Sequence, residues 1–213
     1  QTSWVFYRAM AAGELPAAQP LDLVTSTFDT LAPVYDMHML RTLRYRLPKD
    51  VADRLLALYP TREFNLLDLG CGTGLLGLML GKIAGSMIGV DASIKMIEQA
   101  EKHGVYDRFH TVNLLDALRE TDASQYHVIA ALDVFIYVGA LAQAIQDAHR
   151  ILLPGGRLVF VEYRAEDDDV PIKPLHKMSE AQIRREAAVF ALDWERTVNT
   201  LPWQHVVVFR KRG

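Results

Sequence analysis

Between residues 64 and 163 the chain alternates short apolar runs, rich in leucine and β-branched residues, with stretches whose apolar positions recur at helical spacing. The runs predict strands near residues 65–69, 86–91, 108–112, 127–132 and 157–162, with helices near 74–84, 93–102 and 139–151 between them. Strands this uniformly apolar belong in a parallel sheet covered by helices on both faces. Upstream, Leu43, Leu47, Val51, Leu55 and Leu58 recur at helical spacing, and Pro33 and Pro48 divide residues 26–59 into at least two helices. Residues 1–25 are rich in alanine and hold Gly13, Pro16 and Pro20, the pattern of a short helix followed by an extended connection.

After residue 163 the rhythm breaks. A helical pattern near residues 179–190 leads into two strand-like runs separated by Asn199, Thr200 and Pro202. A parallel crossover needs a dozen or more residues, so these two strands should pair antiparallel. The expected fold is therefore α/β: a doubly wound, seven-stranded, mostly parallel sheet ending in a C-terminal antiparallel hairpin strand. Residues 61–213 would form that domain, and residues 1–60 a helical appendage and lid. The acidic run Glu166, Asp167, Asp168, Asp169 reads as a solvated loop.

Half of the 213 residues are apolar and 23% are charged, enough to bury a substantial core and incompatible with a disordered or fibrous chain. The formal net charge of −3 lacks the basic excess that would draw in a phosphate backbone, so nucleic acid is not an expected partner. The single cysteine, Cys71, excludes an intrachain disulfide and fits a reducing compartment. No run approaches the ~20 apolar residues of a membrane span, and no leader pattern opens the sequence, so a cytoplasmic protein without a membrane partner is expected.

The most informative stretch is NLLDLGCGTGLLGLML, an apolar strand running through Asp68 into Gly70, Gly72 and Gly74 and on into a helix. Glycine lets a ligand approach the main chain, and the helix start offers free N–H donors, so a nucleoside-bearing cofactor is expected there. Gly72, Gly74 and Gly77 also satisfy the GxGxxG dinucleotide pattern, which leaves a nicotinamide enzyme open. Asp91, 21 residues after Gly70, ends the second strand where a carboxylate can accept from ribose hydroxyls. Leu115 and Asp116 follow the third strand, placed to pack on an adenine and accept from its amino group; Asp116 could equally cap the next helix.

Two features favour S-adenosylmethionine over NAD. Asp68 would set a carboxylate beside the loop, which suits the ammonium of an amino-acid cofactor and repels a pyrophosphate. The hairpin ending also leaves no separate domain to hold a hydride acceptor. Tyr45 and Lys49 have the Tyr-x-x-x-Lys spacing of short-chain dehydrogenases, but Pro48 interrupts them and they precede the glycine loop.

LDLGCGTG, Asp91, the LLD step ending at Asp116 and ILLPGGRLVF at residues 151–160 together resemble the ordered motifs of class I S-adenosylmethionine-dependent methyltransferases. The run STFDTLAPVYDMHMLRTLRYRLP with ALDVFIYVG resembles, more narrowly, the predicted methyltransferases associated with tetratricopeptide repeats, although no 34-residue repeat is present. The resemblance implies S-adenosylmethionine as cofactor, S-adenosylhomocysteine as product and methyl transfer to a small-molecule acceptor. It assigns Tyr35, Tyr45, Asp68, Gly70, Cys71, Gly72, Gly74, Asp91, Ala92, Met96, Leu115, Asp116 and Asp133 to the cofactor, with Tyr35 and Tyr45 on the lid. Asp133 and Tyr137, after the fourth strand, would face the acceptor, as would His176 on the insertion after the fifth; these three are the catalytic candidates. A non-methylating, cyclase-like or scaffolding protein on the same fold remains an alternative. The fourth-strand exit lacks the Asn/Asp-Pro-Pro-aromatic step that holds a flipped base. No histidine pair has zinc spacing and only Asp133 stands where a magnesium cluster would gather, so no metal is expected. The segments PIKPLHK and RYR could contact an anionic acceptor.

Overall fold

A computed structural model describes residues 2–12, 19–138, 141–170, 172 and 177–213. In chain order the elements are α1 (Thr2–Ala11), α2 (Leu21–Leu31), α3 (Tyr35–Met37) running into a π turn (His38–Thr42), α4 (Leu47–Leu58) and β1 (Leu66–Leu69). There follow α5 (Leu75–Leu80), β2 (Met87–Asp91), α6 (Ile94–Ala100), β3 (Arg108–Thr111), α7 (Leu114–Glu120), β4 (Tyr126–Leu132), α8 (Leu141–Ile151) and β5 (Leu152–Tyr163). The chain ends with α9 (Glu180–Ala188), β6 (Leu192–Val198) and β7 (Gln204–Lys211). The expected helix over residues 74–84 is shorter, because Gly81 at φ 66° leaves the helical region and stops α5 at Leu80.

The strands form one sheet in the order β3-β2-β1-β4-β5-β7-β6, with β7 antiparallel to both neighbours and every other pairing parallel. Successive residues of a strand point to opposite faces, and here both faces are core. Leu66, Val128, Ala130, Val206 and Val208 join the cluster that receives α4 and α5. Leu67, Ile129, Ala131, Val207 and Phe209 join the cluster packed by α8 and α9. That division is why the strands read as unbroken apolar runs.

The expected antiparallel pair is present, with β7 slotted between β5 and β6 rather than left at the margin. His205 to Phe209 are all buried, so β7 needs neighbours on both sides. In β6 Asp193, Trp194 and Arg196 face solvent or its border, and only an edge strand tolerates that. The stretch expected as an appendage divides as well. Leu47, Val51, Ala52 and Leu55 of α4 are buried in the sheet's core, whereas α2 has no buried residue. Instead of packing on the sheet, α2 roofs a hollow at the carboxyl ends of β1, β2 and β4.

Candidate functional site

The hollow is a cavity of about 560 Å³, floored by the loop after β1 and the ends of β2 and β4, and roofed by α2, α3 and the π turn. It lies where the strand order reverses between β1 and β4, the place at which open α/β sheets receive ligands. Gly70, Gly72, Asp91, Ala92, Met96 and Leu115 all line it.

The glycine loop is held in shape by its own main chain. Cys71 N–H donates to Val90 O at 2.9 Å, and Gly74 N–H to Cys71 O at 2.9 Å. Gly74, at φ 79°, caps α5 in the left-handed region, and a Cβ there would lie 2.9 Å from the Ala100 Cβ. Gly72, at φ 54°, differs: a Cβ there would meet no atom within 4 Å, because it would project into open space. One glycine serves the packing of α5 on α6, and the other keeps main chain bare toward the cavity.

Asp91 closes this cradle. Its Oδ2 accepts from Gly72 N–H at 2.9 Å and its Oδ1 from Ser93 N–H at 2.8 Å. A carboxylate has about four acceptor sites, so both oxygens keep capacity for hydroxyl donors. Burial pushes this acid above the usual carboxylate range, and the Ser93, Gly72 and Ala92 amides pull it back. The residues present therefore fit an adenosyl cofactor: bare main chain at Gly72, an acceptor pair on the sugar side, and apolar walls at Met96 and Leu115.

Three side-chain hydrogen bonds fasten the roof. Ser93 Oγ donates to Asp29 of α2 at 2.5 Å, Thr73 Oγ1 donates to Asp36 of α3, and Tyr45 donates to Asp133 Oδ2 at 2.6 Å. The sequence signal for Asp29 and Asp36 is faint: two acids in the otherwise uncharged STFDTLAPVYD run.

At the exit of β4, next to the glycine loop, the cavity ends in an acidic, aromatic chamber. Asp133 occupies a left-handed backbone at φ 54°, a strain of about 1–2 kcal/mol for a residue with a Cβ. Its Oδ1 is buried without a hydrogen-bond partner among the described residues. Glu162 lies beside it: Oε1 accepts from Phe135 N–H at 2.7 Å and Ile136 N–H at 3.3 Å, holding the loop after β4, while Oε2 is likewise unpartnered. Burial raises both acids; the Tyr45 hydroxyl and the nearby Gln204 amide offset part of this for Asp133, and Asp133's charge adds to it for Glu162. Tyr35, Tyr137 and Tyr163 complete the chamber. Phe28 of α2 packs edge-on to Tyr35 and Tyr137, with ring centroids 6.3 and 5.8 Å apart.

Several expected site residues lie elsewhere. Asp68 does not line the cavity; it is buried and accepts from the Tyr106 hydroxyl at 2.6 Å, and burial pushes it up to about 7 despite that bond. Tyr106 also receives the Gly77 N–H at 3.1 Å and crowds the place where a Gly77 Cβ would stand, so the third glycine of the GxGxxG pattern serves a tyrosine. Cys71 is buried with its thiol pushed up by burial. Asp116 is half-exposed and paired with Arg119 at 2.5 Å; neither it nor Cys71 nor Gly74 is a lining residue. Asn113 is the true cap of α7, its Oδ1 accepting from Leu115 N–H at 2.8 Å, and it lines the cavity that Asp116 misses. Tyr45 and Lys49 are separated, since Lys49 pairs with Asp53 on the outer face of α4 at 2.5 Å. His176 lies outside the described residues. Among the described residues no three His, Cys, Asp or Glu side chains form a metal-binding group.

Fold and cradle together define a protein of the methyltransferase class, and the sequence agrees: the chain belongs to the family described as "Methyltransferase domain", whose model it matches over residues 39–212. More particularly, it is 30% identical over 140 residues to the mitochondrial ubiquinone biosynthesis O-methyltransferase of Mus musculus, covering 62% of this chain and 37% of that protein. Similarity to the Rattus norvegicus enzyme of the same name is 31% over 106 residues, 46% of this chain and 30% of that protein. The chain thus spans about a third of the length of these curated relatives. Among solved structures, magnesium protoporphyrin IX methyltransferase from Synechocystis PCC 6803 with bound SAH superposes with a TM-score of 0.72 at 17% identity, covering 90% of this chain and 99% of that one. The cyclase SpnF superposes equally, with a TM-score of 0.72 at 15% identity, covering 93% and 98%. Such distant likenesses establish the fold.

Proposed function

We propose that the protein transfers the methyl group of S-adenosylmethionine to a small-molecule acceptor carrying a removable proton. The observation that carries this reading is the clasp between Asp91 and Gly72 N–H beside an open Gly72, facing a cavity that runs from that cradle to the half-buried Asp133. Family membership supports the same reading. The cofactor, when bound, supplies an electrophilic methyl carbon on a cationic sulfur.

The chain's own contribution is placement, exclusion of water and one proton. Asp91 and the Gly72 main chain fix the sugar, Asn113 and Leu115 border the base, and the roof of α2, α3 and the π turn, held by its three fastenings, limits solvent once the cofactor fills the cavity. Alignment of this kind is worth up to roughly 7–11 kcal/mol. Asp133 Oδ1 takes the acceptor's proton: it is unpartnered, it lies in a raised-pKa environment that makes it a competent base near neutrality, and Tyr45 fixes the other oxygen. Tyr137 borders the same chamber. The resemblance of STFDTLAPVYDMHMLRTLRYRLP and ALDVFIYVG to the branch associated with tetratricopeptide repeats supports membership of that branch, and the single buried cysteine suits the cytoplasm. No helix among the described residues is long and apolar enough to cross a membrane.

Calorimetric titration with S-adenosylhomocysteine and, separately, NADH tests the cofactor. Binding of the first without the second is expected; the reverse would overturn the assignment in favour of an oxidoreductase. Incubation with methyl-labelled cofactor and a metabolite extract tests the transfer, and cofactor binding without any labelled product would favour a cyclase-like role on this fold.

A further inference from the structure

A second cavity, of about 650 Å³, lies behind the acidic chamber and shares Leu43, Tyr45 and Tyr163 with the first as a common wall. It sits at the carboxyl end of β5, between the start of α4 and the β6–β7 turn. That turn is pinned: Arg164 donates through its guanidinium to the carbonyls of Leu201 and Gln204, and through its main-chain N–H to Trp203 O at 2.9 Å. The wall is therefore built rather than loose.

Its chemistry differs from that of the first cavity. Arg44, Arg46 and Arg54 line it together with Asp50 and Asp53. The acids are engaged, Asp50 by Arg46 at 3.9 Å and Asp53 by Lys49 at 2.5 Å. Neither Arg44 nor Arg54 pairs with a carboxylate among the described residues. Arg44 is held, moreover, in a left-handed backbone at φ 50°, where a β-carbon is unwelcome. Two uncommitted guanidinium groups beside Trp203, Leu201 and Pro202 make a lining with a flat apolar side and a cationic rim. A guanidinium fork matches carboxylate and phosphate oxygens and stacks on aromatic faces.

We propose that this second cavity is the acceptor's chamber, and that it takes an apolar or aromatic body bearing an oxyanion, a carboxylate or a phosphate, held by Arg44 and Arg54. The nucleophilic end then passes between Tyr45 and Tyr163, which both cavities share, into the acidic chamber where it meets Asp133; the inference thus deepens the methyl-transfer reading and rests on it. The two cavities divide the binding, with the cofactor over β1 and β2 and the acceptor over β5 and β7.

The test uses the whole chain saturated with S-adenosylhomocysteine, with Trp4 and Trp194 replaced by Phe so that Trp203 alone reports. A panel of aromatic and aliphatic carboxylates is titrated, each beside its methyl ester, with phosphate monoesters of the same bodies as a second arm. At least one acid or phosphate should perturb Trp203 with an affinity tenfold or more above its neutral counterpart. The double variant Arg44→Gln, Arg54→Gln should reduce it to the level of the neutral compound, with S-adenosylhomocysteine affinity unchanged. The proposal is overturned if esters bind as well as acids, if no anion in either arm reaches Trp203, or if the double variant binds anions normally. Loss of S-adenosylhomocysteine binding in the unmodified chain would instead sink the cofactor reading, so the two failures are distinguishable.

Discussion

Replacing Asp91 by alanine separates two duties that the structure has joined in one carboxylate. The side chain accepts from Gly72 N–H at 2.9 Å and Ser93 N–H at 2.8 Å, so it staples the glycine loop to the start of α6 before any ligand arrives. Losing a charged acceptor costs about 1–3 kcal/mol per stranded donor. Here the open cavity lets water reach Gly72 N–H, and removing a partly buried charge returns some energy. We therefore expect about 2 kcal/mol of lost stability, or a fall of roughly 4–8 °C in melting temperature for a chain of this length. Cofactor affinity should fall separately, by about 5- to 150-fold, as ribose hydroxyls lose an acceptor worth about 1–3 kcal/mol. Thermal melting of the free protein reads the first loss, and calorimetry with S-adenosylhomocysteine well below the melting point reads the second. A lower melting temperature with undiminished affinity would show that Asp91 only staples the loop, and the sugar-binding argument would be refuted.

Gly72→Ala should fold, at a cost of about 1–2 kcal/mol for its left-handed backbone, yet lose at least tenfold in S-adenosylhomocysteine affinity because the new methyl enters the cavity. Gly74→Ala should instead melt early, since its Cβ would press on Ala100; the two are told apart by melting and calorimetry, and equal behaviour would contradict the division of roles. Asp68 titrates near 7 in the folded chain against an ordinary value of 3.8, so it binds its proton more tightly folded than unfolded. Its contribution to stability is complete below about pH 4 and lost as pH rises to about 7. Asp68→Asn should flatten that dependence and raise stability at pH 8, by a ceiling of roughly 4 kcal/mol, as measured by denaturant melts at both pH values. Asp133→Asn should lower turnover of an identified acceptor by roughly 10²–10⁴-fold and remove the rise in rate with pH that follows deprotonation of this raised acid, leaving S-adenosylhomocysteine affinity intact. A retained pH rise would place the base elsewhere.

The layered fold was legible because each apolar run serves two cores at once, which only a doubly covered strand requires, and the glycine loop was legible because bare main chain and a distal acid are written as residue types at fixed spacing. Asp91, Ala92, Met96 and Leu115 all line the cavity. Asp68 and Asp116 do not, and the reason is local geometry: a buried tyrosine, Tyr106, claims the first, and helix phase turns the second toward Arg119 while Asn113 takes the cap.

Residue order by itself determined the strand and helix succession, the cradle after β1 and the antiparallel ending, since these follow from periodicity, glycine and connection length, all local quantities. Only the tertiary structure decided that β7 slips inside β6, that α2 roofs a hollow instead of packing, and that the half-buried Tyr45 and Asp133 and the buried Glu162, far apart along the chain, meet as one cluster. Those outcomes depend on which surfaces are left to be covered once every element competes for the same sheet, and no stretch of sequence carries that information alone.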